Sequence, residues 1–90
     1  MTIILNKCYG GFALPEEFVA NYNYESIYDD IDRNDPDLVD FINAHGGSIK
    51  EGFAYLCAVD IPDDCTDWDI IDYDGAERVV YVLDGKIYYS

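Results

Sequence analysis

Nineteen Asp and Glu residues stand against five Lys and Arg in a chain of 90, a formal net charge of −14. A charge this far from zero works against the compact state through self-repulsion. Two explanations suit it: plain solubility, or a surface shaped to occupy a site built for nucleic acid. The charges are also unevenly spread. Nine carboxylates and no Lys or Arg fall between Glu51 and Glu77, and Cys8 to Asp32 is equally free of basic residues. An ordinary surface mixes both signs.

The length predicts a single domain over residues 1–90, burying roughly 60–65% of the surface its unfolded chain exposes. Half of the residues are apolar and 16% are aromatic, which is enough for a core. High apolar content beside high charge argues against disorder. Nine tyrosines supply side chains with an apolar body and a polar tip, a type enriched at interfaces. Cys8, Cys57 and Cys65 are odd in number and lack C-x-x-C spacing, so they read as reduced thiols of a cytosolic protein. The opening Met-Thr-Ile-Ile-Leu-Asn-Lys is too short an apolar run for a signal peptide, and no stretch approaches the roughly 20 apolar residues of a membrane span. The negative charge argues against direct binding to nucleic acid or an anionic membrane, because phosphates repel it.

Thr2–Asn6 reads as a short buried strand, ended by the Gly10-Gly11 turn. Pro15 followed by Glu16 and Glu17 predicts a helix start, with Phe18, Val19 and Tyr22 on one face and an end near Asn23. Residues 24–34 are polar and acidic and read as a loop. Asp35 as N-cap, Pro36 behind it and Gly46-Gly47 as the stop predict a second helix, with Leu38, Phe41, Ile42 and His45 on one face. Strands are predicted over Phe53–Ile61, Trp68–Tyr73, Arg78–Leu83 and Lys86–Tyr89, with Asp74-Gly75 and Asp84-Gly85 as hairpin turns. The expected fold is a two-layer α+β domain: one antiparallel sheet of about four to five strands with two helices on one face.

Catalytic and metal chemistry find little support. With Gly75 at position six of a calcium loop, Asp72 and Asp74 fill positions three and five, but positions one and twelve fall on Ile70 and Tyr81. Cys8 and His45 are the only thiolate–imidazole pairing on offer. A histidine at a helix C-terminus ordinarily serves the dipole, and nearby carboxylates disfavour a thiolate. Lys7 and Gly10-Gly11 stand in the wrong order for a phosphate loop. The three cysteines and His45 lack the close ligand pairs of a zinc site. No enzyme, cofactor or metal is expected.

The acidic pattern itself is the stronger signal. Asp67 and Asp69 alternate with Trp68 and Ile70, which places their carboxylates on one strand face about 6.7 Å apart, a spacing comparable with successive phosphates. Asp63 and Asp64 extend that row. Asp72 and Asp74 lie at its far end, across a break in alternation at Ile70-Ile71 that suggests a bulge. A second cluster comprises Asp29, Asp30, Asp32, Asp35, Asp37 and Asp40, with Asp35 read chiefly as the helix cap. Exposed Tyr24 and Tyr28 would serve as anchors. Weighed against this, carboxylates opposite apolar residues are what any half-solvated sheet shows, and Asp in turns is ordinary turn chemistry.

Asn6-Lys7-Cys8-Tyr9-Gly10-Gly11-Phe12 resembles the opening of a family of small proteins of tailed phages and prophages. Arg33-Asn34-Asp35-Pro36-Asp37-Leu38-Val39, Ala54-Tyr55-Leu56, Val59-Asp60-Ile61-Pro62-Asp63, Trp68-Asp69-Ile70 and Asp72-Tyr73-Asp74-Gly75-Ala76-Glu77 follow its pattern in order. The chain departs from it in lacking a long segment between the first helix and Arg33 and in its Tyr-rich tail. The resemblance implies phage origin and a place in the cytoplasm of a bacterial host, and it brings no catalytic residues. The expected function is that of a non-enzymatic inhibitor of a host nucleic-acid-handling defence system, of anti-CRISPR or anti-restriction type, acting by DNA mimicry on the basic groove of a CRISPR effector or restriction complex. The alternative is a small structural or regulatory phage protein that binds through the Tyr9–Phe12 turn.

Overall fold

The computed structural model describes residues 1–73 and 75–90. Elements follow in the order β1 (Thr2–Asn6), α1 (Glu16–Asn21), α2 (Pro36–Ala44), β2 (Ser48–Glu51), β3 (Ala54–Asp60), β4 (Asp67–Tyr73), β5 (Ala76–Leu83) and β6 (Lys86–Tyr89). The strands make two antiparallel three-stranded sheets, β1-β3-β2 and β4-β5-β6. The mixed α+β class holds. The single sheet of about four to five strands does not.

The split has a local cause. Residues 48–51 form a strand the sequence reading lacked, pairing Ser48 with Cys57 and Glu51 with Ala54. β1 takes the other side of β3, with Thr2 opposite Asp60 and Asn6 opposite Leu56. Both edges of β3 are therefore filled, and no place remains beside it for β4. Pro62 has no N–H to offer a ladder, and the turn behind it carries the chain away into a second sheet.

β1 is buried on both faces, which is why it reads as a continuous apolar run. Ile4 meets Leu14, Phe18, Leu38 and Ile42 on the helix side, while Ile3 and Leu5 meet Ile61 and Val79 on the side of the second sheet. The first sheet thus has the helices on one face and, along β1, the second sheet on the other. Each of these fully buried side chains contributes about 1.5–3 kcal/mol relative to exposure. α1 has only 6 residues and could not persist alone. Phe18 holds it, packed against Tyr22, Tyr24 and Phe41 at ring separations of 4.7, 5.5 and 5.4 Å. α2 begins as expected: the Asp35 carboxylate accepts from the amides of Asp37 and Leu38.

Candidate functional site

Asp67 and Asp69 share one face of β4, as their spacing predicts, and both are exposed. The β4–β5 register runs without interruption from Asp67 opposite Val82 to Tyr73 opposite Ala76. There is no bulge at Ile70-Ile71, so strict alternation turns Asp72 to the other face, in phase with Trp68 and Ile70. The expected continuous row therefore breaks at Asp72, whose Oδ1 instead accepts the Gly75 amide at 2.6 Å. Asp74 lies outside the described residues. Asp63 pairs with the α-amine of Met1, and Asp64 is exposed.

β4 is an edge strand, and its acids act on that edge. The Trp68 amide donates to Asp67 Oδ1 at 2.9 Å, and the Ile70 amide donates to Asp69 Oδ1 at 2.8 Å. Each carboxylate thus occupies an outward-facing N–H that could otherwise recruit a foreign strand. One oxygen of each remains without a partner among the described residues.

The second acidic cluster gathers partly around Tyr24. Asp30, Ile31, Asp32 and Asp35 line an open cleft of about 450 Å³ beside that ring. The Tyr24 hydroxyl is held above the usual tyrosine range, first by desolvation and then by the carboxylates of Asp35, Asp37, Asp29 and Asp32, all of which resist a further negative charge. Asp29 is also tied locally, accepting the Glu25 amide at 2.7 Å. Asp37 and Asp40 are exposed on α2. Tyr28 stands free at 63% exposure. Tyr24 does not stand free as expected: it is half-buried with its ring on Phe18.

Sequence reasoning missed the polar centre of the molecule. Glu77 is 7% exposed, and its two oxygens take Arg33 Nη1 and Nη2 at 2.6 and 2.9 Å. Glu77 Oε1 also accepts the Asn6 amide at 2.6 Å, while Arg33 Nη1 donates to the Ile4 carbonyl at 3.2 Å. The guanidinium lies 3.7 Å above the Phe12 ring. The fully buried Asn6 side chain donates to the carbonyls of Cys8 and Gly75 and accepts the Tyr55 amide. This knot ties β1, the Lys7–Phe12 turn, the segment before α2 and the start of β5. A signal was present: Glu77 is in phase with core-facing Val79 and Tyr81, a position where a carboxylate requires a cation.

Nothing couples Cys8 to His45. The His45 ring contacts the Phe41 carbonyl through Nδ1 at 2.9 Å, and the Cys8 amide donates to Asn6 Oδ1. All three cysteines are free and half-buried. Among the described residues no group of three or more His, Cys, Asp or Glu side chains gathers as a metal site, and no helix is long and apolar enough to cross a membrane. No family model, no curated protein and no solved structure matches the chain.

Proposed function

We propose that the chain is a non-enzymatic, phage-encoded acidic binding protein that acts in the host cytoplasm. It engages the basic nucleic-acid groove of a host defence protein, of CRISPR-effector or restriction type. The observation that carries this reading is uncompensated surface charge: among the described residues, Glu77 is the only carboxylate paired with a Lys or Arg side chain. Asp64, Asp67, Asp69, Asp30, Asp32, Asp37 and Asp40 are exposed and face water unneutralised. Such a surface steers toward a basic groove at long range, and the attraction weakens with salt.

The test is capture of a CRISPR effector or restriction nuclease on the tagged protein at low and raised salt, together with inhibition of its DNA cleavage. Asn at Asp63, Asp64, Asp67 and Asp69, or at Asp30, Asp32, Asp37 and Asp40, should abolish both while the fold survives. Unchanged capture by both sets of variants would sink the electrostatic reading. The alternative surface, the Tyr9–Phe12 turn, is supported by Tyr9 at 74% exposure. Phe12 lies beneath Arg33, so only Tyr9→Ala separates the two readings without disturbing the knot.

A further inference from the structure

The second sheet carries apolar residues on both faces, and only one face is covered. Its inner face carries Val79, Ile70 and Tyr81 toward β1. On its outer face the pairing sets Asp67 beside Val82 and Val82 beside Ile87, with Asp69, Val80 and Tyr89 in the next row. Ile87 is 64% exposed and Tyr89 55%. A groove of about 90 Å³ runs across this face, bounded by Asp67, Trp68, Asp69, Val80, Val82 and Ile87.

Charge complementarity selects the occupant. The floor is aliphatic, and the groove has no Lys or Arg in its lining. Arg78, on the same face, lies 5.4 Å from the Tyr89 ring centroid. The β4 wall carries two carboxylates whose inner oxygens are fixed by the amides of Trp68 and Ile70, leaving an outer oxygen on each to accept. A second copy of this chain would bring its own charge of −14 and is repelled. An aliphatic stem ending in a planar cation satisfies both parts at once.

We infer that this groove is the anchor site for an arginine side chain presented by a basic partner protein, its stem on Val80, Val82 and Ile87 and its guanidinium at Asp67 and Asp69. The identity of the partner rests on the function proposed above; the groove itself can be tested without one. The experiment is amide-resolved NMR titration of the full chain with n-butylguanidinium, against guanidinium (charge without stem) and n-butylurea (stem without charge). Saturable shifts should centre on residues 67–69, 80–82 and 87 with n-butylguanidinium, and each control should bind much more weakly. The double variant Asp67→Asn, Asp69→Asn should weaken n-butylguanidinium binding about fivefold or more, as expected for two exposed charge contacts. Val82→Ala, which strips apolar contact from the floor and keeps the charge, should also weaken it. Equal shifts with bare guanidinium, or shifts spread over every acidic segment, would show counter-ion condensation and overturn the site. That outcome would leave the basic-groove reading standing, since that reading is judged by nuclease capture.

Discussion

Replacing Glu77 with Ala should cost this domain a large part of its stability. The substitution leaves the Arg33 guanidinium beside Phe12 without a counter-charge and removes the acceptor of the Asn6 amide. Breaking a buried ion pair by deleting one partner costs about 3–5 kcal/mol. The Arg33 side chain is 20% exposed, so water offsets part of that, and the low end, about 3 kcal/mol, applies. The orphaned amide adds roughly 1 kcal/mol or more. Against a total of about 5–13 kcal/mol for a chain of this length, roughly 4 kcal/mol is about three-tenths or more.

Glu77→Gln keeps Oε1 as an acceptor for the Asn6 amide and Arg33 Nη1, but it sets an NH2 against Arg33 Nη2 and leaves the guanidinium without a counter-charge. It should therefore cost less than Glu77→Ala by only about the 1 kcal/mol of the retained amide bond. Urea unfolding followed by Trp68 fluorescence reads the effect, since Trp68 packs against the core that β1 shares with the second sheet. The midpoint should fall with little change in slope. A double-mutant cycle with Arg33→Met should return a coupling of about 1.5 kcal/mol or more. A Glu77→Ala cost under about 1 kcal/mol with no coupling is how an exposed pair behaves, and would refute the knot as an organising centre.

Two further outcomes follow from single contacts. Because the native Tyr24 hydroxyl holds its proton above the unfolded value of about 10, stability is unaffected below that pH and declines as pH rises from there through the raised native value; Tyr24→Phe should remove this decline in alkaline unfolding titrations read by tyrosinate absorbance. Gly75 adopts φ +87°, and a Cβ there would sit 2.7 Å from the Tyr9 carbonyl oxygen, whereas Gly11 at φ +90° has open space; Gly11→Ala should cost about 1–2 kcal/mol and Gly75→Ala clearly more, by thermal unfolding.

Local chemistry was the legible part of this fold. Asp35, Pro36 and the Gly46-Gly47 pair mark α2 because capping, fixed φ and chain reversal are properties of single residues. The strands of the second sheet are bounded by turn residues for the same reason. What stayed hidden depends on partner choice. Ser48-Ile49-Lys50-Glu51 has one apolar residue in four and no strand signal of its own, yet by occupying the edge of β3 it divides one sheet into two. Asp67 and Asp69 were placed correctly because alternation is local. Asp72 was misplaced because a double-apolar step reads as a bulge when the facing strand is unknown, and the register shows it to be ordinary pairing. The Arg33–Glu77 pair spans 44 positions of sequence, and only the phase of Glu77 against Val79 hinted at it.

The placement of the charge bears on how function should be dissected. One carboxylate is buried and neutralised by Arg33, and the candidate contact residues lie outside that knot. Surface neutralisation should therefore leave the fold intact, and lost binding would report on the surface itself. Asp67 and Asp69 are the exception that decides the choice of substitution. Their carboxylates already occupy the edge amides of Trp68 and Ile70, so a Lys there changes two things together: it reverses the charge and bares two outward N–H groups on an edge strand. A Lys variant that lost its partner could owe the loss to strand-mediated self-association. Asn keeps a side-chain carbonyl within reach of the same amides and removes only the charge. A surface that works by charge must fail with Asn as well as with Lys. One that tolerates Asn and fails only with Lys shows that these two acids guard the edge, and that the charge for a basic partner lies in Asp63 and Asp64 or around Tyr24.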